Sequence, residues 1–210
     1  MELLYTDEKL AVCIKPAGVL STDEPGGMPS LLRSELGGNA YTVHRLDRVV
    51  GGVFVLARTR HAASDLGKAV QEGRFRKEYL AVVRGTFAEA EGVLRDLLYR
   101  DRGARRTIVV TEPGRNVQEA ELAYRVLAER EGFSLLHIEL HTGRTHQIRA
   151  QFAQRGFPLY GDVKYGAAEE ESIALWSYRV SFPHPVTGET MEFSRKPPEQ
   201  FPWTLFKENL

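Results

Sequence analysis

Strand-length apolar runs recur along almost the whole chain, and residues that turn the backbone close each one. Residues 3–5 and 10–14 flank the polar turn Thr6-Asp7-Glu8-Lys9, and Pro16-Ala17-Gly18 ends the second run. A continuous apolar run, 53–57, follows Gly51-Gly52 and reads as a buried strand. Residues 79–83 form another. Residues 93–99 and 106–110 read as a pair around a basic loop, and 119–127 and 133–141 as long strands joined by Glu129-Arg130-Glu131-Gly132. A last pair, 173–182 and 190–193, surrounds the turn His184-Pro185-Val186-Thr187-Gly188. Helical spacing is rarer. Ser30 would cap a short helix over 31–36. Thr59 would cap a second, with Ala62, Ala63, Leu66, Ala69 and Val70 as its apolar stripe. A third is expected near 144–154, stopped by Gly156. Residues 21–30 read as loop, and Pro197, Pro198 and Pro202 break up the tail. This is not the regular strand–helix alternation of a doubly wound fold. It predicts an α+β protein with a mixed, largely antiparallel sheet core and flanking helices.

With 210 residues and no internal repeat, linker or low-complexity segment, one domain over 1–210 is expected. Its 42% apolar and 27% charged residues exclude disorder. No apolar run approaches the ~20 residues of a membrane helix, and the first ten residues lack the order of a secretion signal. Cys13 is the one cysteine, which rules out an internal disulfide and suggests a buried, inert thiol. A cytoplasmic protein fits these features. Net charge is zero, with 28 basic and 28 acidic residues, which by itself argues against nucleic acid. The charges are nevertheless uneven. Basic residues gather at Arg74, Arg76 and Lys77, at Arg100, Arg102, Arg105 and Arg106, and at Arg144 and Arg149, whereas Glu169, Glu170 and Glu171 lie together elsewhere. A basic face opposite an acidic one is one arrangement that this order permits.

Three segments could carry chemistry. In His44-Arg45-Leu46-Asp47, Leu46 can anchor in the core while Arg45 and Asp47 share a side, as alternating positions of an extended chain do. An adjacent arginine keeps a carboxylate ionised, and an ionised carboxylate is a competent nucleophile. On these four residues alone, a structural ion pair is the simpler account. Tyr79 heads an apolar strand, where a tyrosine is ordinarily core; its functional use would be to stack on a base or to move a proton. Gly143-Arg144-Thr145-His146-Gln147-Ile148-Arg149 opens a helix, whose unpaired first amides suit an anion, while Ile148 and Phe152 face the core. A metal site is the rival idea, because His137, Glu139 and His141 share one strand face near His146, but no HExxH or CxxC spacing supports it. Asp47 with Asp162 would be the carboxylate pair of a hydrolase. No GxGxxG or GxxxxGK[ST] cradle for a nucleotide occurs.

The order of these segments is more telling than any one of them. From Leu4-Tyr5-Thr6-Asp7 and Lys15-Pro16-Ala17-Gly18, the chain continues through His44-Arg45-Leu46-Asp47 with Gly52, then the run from Lys77 to Gly85, with Glu78-Tyr79-Leu80 inside it. Gly143 to Arg149, Pro158, Gly161-Asp162, Tyr165-Gly166 and Phe182-Pro183-His184-Pro185 follow. In this order it resembles the RluA-type RNA pseudouridine synthases over nearly its full length. The resemblance implies that family's mixed-sheet catalytic fold, isomerisation of uridine in ribosomal or transfer RNA, and neither metal nor organic cofactor. It implies Asp47 as catalytic aspartate, Tyr79 as the tyrosine under the target base, and Arg144 as the arginine that pairs with the aspartate. His44, Arg45, Arg76, Lys77, His146, Gln147 and Arg149 would then contact RNA, Arg45 by holding the flipped position open. RNA is the partner so implied, for a monomer that does not engage a membrane. The frequent S4 RNA-binding module has no counterpart, so recognition is expected from the catalytic domain itself. Two places depart from the family's usual wording: Val50-Gly51 stands where Thr-Ser or Thr-Thr is usual, and Leu175-Trp176-Ser177 where Leu-His-Ala is usual.

Overall fold

The computed structural model describes residues 1–166 and 172–210; Glu169, Glu170 and Glu171 lie outside the described residues. In chain order it contains β1 (Glu2–Thr6), β2 (Leu10–Lys15), α1 (Met28–Leu36), β3 (Tyr41–Thr42), β4 (Gly51–Ala57) and α2 (Arg60–Gln71). Next come β5 (Arg76–Arg84), β6 (Glu91–Asp101), β7 (Arg106–Val110), β8 (Val117–Arg130) and β9 (Phe133–Leu140). The chain ends with α3 (Gln147–Gln154), β10 (Leu175–Pro183), β11 (Thr190–Ser194) and a 3-10 helix (Trp203–Asn209). The fold is α+β, as expected. Among the described pairings, all are antiparallel except that of β4 with β10.

Two compact units form. The first comprises Met1–Glu78 and Trp176–Lys196, and the second Tyr79–Leu175 and Pro197–Leu210. In the first, strands run in the order β1-β2-β4-β10, with β3 on β4 and β11 on β10. Leu10, Val12, Val53 and Val55 from the strands meet Ala62, Leu66 and Ala69 of α2, with Phe75, Val180 and Phe182 completing the core. The Thr59 hydroxyl caps α2 by accepting from the Ala62 amide at 3.1 Å. Helix α1 starts earlier than the Ser30 cap would have it. Its N-cap is Gly27, and Pro29 sits in its first turn, where proline's missing N–H costs nothing. A side chain on Gly27 would place Cβ 2.1 Å from the Thr22 carbonyl, so glycine is required there.

In the second unit, strands run β5-β9-β8-β6-β7. Ile148 and Phe152 of α3 are buried, as their spacing predicts. The C-terminal 3-10 helix was not legible among its prolines. It buries Trp203 and Phe206, and its backbone kinks at Phe206, which leaves helical geometry (φ -119°, ψ 24°). Cys13 is fully buried, and burial pushes its thiol up to about 12, so it is inert. Among the described residues, no helix is long and apolar enough to cross a membrane.

Candidate active site

Asp47 sits in an irregular segment that leads into β4, and the alternation expected there is present: Leu46 is buried, Arg45 exposed, and Asp47 half-buried. The segment is pinned through its main chain. The Ser21 hydroxyl donates to the Leu46 carbonyl at 2.8 Å and accepts from the Leu46 amide at 3.0 Å. The Val50 amide closes a turn on the Asp47 carbonyl at 3.0 Å. The Gly18 amide donates to Arg48 O at 2.7 Å, and Arg48 Nε donates back to Gly18 O at 2.9 Å.

Lys15 lies beneath that turn with no exposed surface. Its Nζ donates to the carbonyls of Pro16 (3.0 Å), Arg48 (3.1 Å) and Val50 (2.7 Å), which uses all the donors of an ammonium. Burial lowers its pKa to about 8, and the negative charge of Asp47 opposes the fall. Lys15 was visible in the sequence only as part of a turn; a lysine closing an otherwise apolar strand was the signal for its role. Ser21 carried no such signal.

The two departures from the family's wording meet at β4. Trp176 is in register with Gly51, and Ser177 with Gly52. A Cβ on Gly51 would lie 2.6 Å from the Trp176 ring, and one on Gly52, where φ is +124°, 2.3 Å from Ser177 O. The glycine at 51 therefore makes room for the tryptophan at 176. Trp176 Nε1 donates to Arg195 O at 2.7 Å, and Ser177 Oγ to Val53 O at 2.9 Å.

The start of α3 is built from side chains. His146 holds a left-handed conformation (φ 55°, ψ 23°) as the residue before Gln147. The Tyr165 hydroxyl accepts from the Thr107 amide at 2.7 Å and is hydrogen-bonded with His146 Nδ1 at 2.9 Å, with Arg100 Nη1 3.5 Å from the same nitrogen. Gln147 is buried and makes three contacts: its Oε1 accepts from Thr142 Oγ1 (2.8 Å) and from the Arg144 amide (3.1 Å), and its Nε2 donates to Glu121 O (3.1 Å). The Arg144 amide is thus already used, which corrects the expectation of an open anion cradle there. Helix α3 also begins at Gln147 and not at Arg144. Arg144 Nε donates to Glu119 O at 2.9 Å, which fixes the root of its guanidinium.

Arg149 and Asp162 form a buried, two-pronged ion pair, both contacts at 2.7 Å, with side chains only 6% and 0% exposed. The Arg149 guanidinium also lies 5.1 Å from the Tyr165 ring centre. Arg149 therefore points into the protein, on a deeply packed helix of eight residues. Both oxygens of the Asp162 carboxylate are engaged by Arg149. His44 is also inside. Its ring packs between Phe54 and Phe75, with centroids at 4.8 and 5.2 Å, and its Nε2 accepts from the Val55 amide at 3.1 Å. Burial, with the charge of Lys77 adding to it, lowers its pKa to about 3, so the ring is neutral. Arg76 is exposed, and Lys77, half-buried, has its pKa lowered by burial. Tyr79 is buried in β5. Among the described residues, no group of three or more His, Cys, Asp or Glu is placed to hold a metal ion. His141 Nδ1 instead lies 2.9 Å from Glu121 Oε1.

A family model described as RNA pseudouridylate synthase matches residues 9–154, a span that includes Asp47, Tyr79 and Arg144. An uncharacterized RNA pseudouridine synthase of Aquifex aeolicus is 33% identical over 96% of this chain and 71% of its own length. The ribosomal large subunit pseudouridine synthase D of Nitrosomonas europaea is 31% identical over 91% of this chain and 60% of its own length. The solved structure of human RNA pseudouridylate synthase domain containing 1 superposes with a TM-score of 0.80 at 21% identity, covering 99% of this chain and 94% of that one. That last likeness concerns the fold. This chain belongs to the RNA pseudouridylate synthase family, and within it to the RluA-like branch that includes synthase D. It is an RNA-modifying isomerase.

Proposed function

We propose that this protein converts uridine to pseudouridine in ribosomal or transfer RNA, acting as a monomer in the cytoplasm, with Asp47 as the essential carboxylate. The observation that carries the reading is the Asp47 turn. A half-exposed carboxylate is held on a main chain whose neighbouring carbonyls are engaged by Lys15, Ser21 and Gly18. Such a group is accessible yet rigidly placed, as a reacting group must be. The name of the Nitrosomonas relative favours ribosomal RNA as the substrate.

The reaction breaks the bond from uracil N1 to ribose C1′ and joins C5 to C1′. The C5 hydrogen leaves as a proton, and N1 gains one. No redox change occurs, so the balance calls for no redox cofactor, and the reaction is proposed to use neither metal nor organic cofactor. The base must leave its stack, which costs a few kcal/mol and least in loops. Tyr79 is proposed to pack under that base, and Arg144 to pair with the aspartate. Arg45, Arg76, Lys77 and His146 are proposed to contact the RNA. His44, Gln147 and Arg149, whose side chains are buried among protein partners, are proposed to support those contacts from behind. All of this is assigned to one catalytic domain spanning 1–210.

RNA carrying tritium at uracil C5 tests the reading. Wild-type protein, freed of metal and given no cofactor, should release tritium to water. Asp47→Asn should release none above background while keeping the wild-type circular dichroism and most RNA affinity. Release by the variant at an undiminished rate would remove Asp47 from the reaction. Release by wild type only after added zinc would overturn the cofactor-free chemistry.

A further inference from the structure

The hairpin of β6 and β7 carries Arg100, Arg102, Arg105 and Arg106, and the only acid among residues 100–106 is Asp101. Asp101 is occupied locally, its Oδ1 accepting from the Ala104 amide at 2.9 Å. Other arginines of this chain are matched with carboxylates: Arg33 with Asp23, Arg95 with Glu121, Arg155 with Asp96, Arg179 with Glu192. Among the described residues, no ion pair engages any of the four hairpin arginines. In a chain with no net charge, positive potential is thus concentrated at one tip.

That tip is rigidly rooted. Asp101 pairs with Arg106 across the strands, and four residues, 102–105, make the loop. Arg106 lies over the Tyr165 ring at 4.8 Å, Thr107 Oγ1 donates to Thr145 O at 2.7 Å, and Arg100 approaches His146. Lys164 Nζ donates to Arg105 O at 3.1 Å, adding a further cation. Arg105 itself has φ 50°, a conformation that glycine or asparagine adopts more cheaply. Arg105 and Arg102 are both exposed at this tip.

We propose that the β6–β7 hairpin grips phosphates of the substrate RNA, with Arg102 and Arg105 as the contacting side chains. The proposal rests on the reading of this protein as an RNA isomerase, and it assigns RNA affinity to a surface that the uridine chemistry does not use. Guanidinium forks match phosphate oxygens, and the rooted strands hold them ready. The contacts do not read sequence; they set affinity and its dependence on salt.

The test uses total RNA labelled with tritium at uracil C5, taken from cells that lack this gene. The double variant Arg102→Gln/Arg105→Asn removes both charges and gives position 105 a residue at ease with its φ. It should raise KM about tenfold at unchanged kcat and make the log–log salt dependence of filter binding shallower by about 1–2. Arg60→Gln/Lys207→Gln, which removes equal charge from exposed positions elsewhere, should change neither. Unchanged KM and salt slope would overturn the proposal. So would a fall in kcat at constant KM, or an equal effect from the control pair. If wild type released no tritium but filter binding still depended on the hairpin, the isomerase reading would fall and the RNA grip would stand. If instead binding to phosphatidylserine vesicles, and not to RNA, were lost in the variant, the surface would belong to a membrane.

Discussion

The turn carrying Asp47 and the segment opening α3 both hold polar groups in fixed places, but they use different materials. Around Asp47 the bonds run to the main chain: Ser21, Gly18 and the Lys15 ammonium engage Leu46, Arg48 and Val50 regardless of the side chains at those positions. At α3 the bonds run between side chains: Thr142 to Gln147, Tyr165 to His146, Arg149 to Asp162. A main-chain lattice tolerates substitution of the residues it displays. A side-chain lattice does not, because removing one member strands the next in a poorly solvated place. The two regions should therefore fail differently.

The largest effect is expected at the ion pair behind α3. Arg149→Met leaves Asp162 as an unmatched buried charge, which should cost about 3–5 kcal/mol and lower Tm by roughly 10 °C. Arg149→Met/Asp162→Asn should recover most of that loss, since both charges are then gone. Thermal unfolding of the two variants checks it; equal losses would show that the pair is not what the single variant breaks.

A smaller effect is expected where β4 leaves the Asp47 turn. Gly51→Ser sets a side chain against the Trp176 ring and should cost about 1–3 kcal/mol of stability. Trp176→His should relieve it, with a coupling of about 0.5–3 kcal/mol in the double-mutant cycle. Additive losses in urea unfolding would mean that the glycine and the tryptophan are independent.

The smallest effect, and the most specific to the main-chain lattice, is a pH response. The Lys15 pKa is near 8 in the folded protein against an ordinary 10.5. Between those values the unfolded chain binds more protons, so stability should rise with pH across that window, relative to Lys15→Met. Turnover should move the other way, because a neutral amine has too few N–H groups for three carbonyls and the Asp47 turn loosens. The decline should be less than tenfold and absent from Lys15→Met. In Asp47→Asn the carboxylate that favours the ammonium is gone, so the stability rise should begin at lower pH. A stability window identical in both proteins would detach Lys15 from Asp47.

Much of this protein was determined by its sequence alone. The period of the apolar runs and the turn formers between them placed nearly every strand, because alternation and backbone turning are local properties. Thr59 as a cap and Ile148 with Phe152 as core followed for the same reason. Motif order identified the family and singled out Asp47, Tyr79 and Arg144 without any contact being known. The 3-10 helix at Trp203–Asn209 escaped because its prolines read as breakers, and the true start of α1 because what requires Gly27 is the close approach of the Thr22 carbonyl, which no side-chain pattern shows.

What only the tertiary structure decided is which charges face inward. Arg149 and Lys15 look like surface cations in a one-dimensional reading. Each is buried because a partner far along the chain repays its desolvation: Asp162 for the one, the carbonyls of Arg48 and Val50 for the other. His44 is neutral because Phe54 and Phe75 enclose it, and Gly51 stands opposite Trp176 across 125 residues of sequence. Local sequence sets the backbone's path. The state of a polar side chain depends on what arrives beside it, and residues distant in sequence supply that.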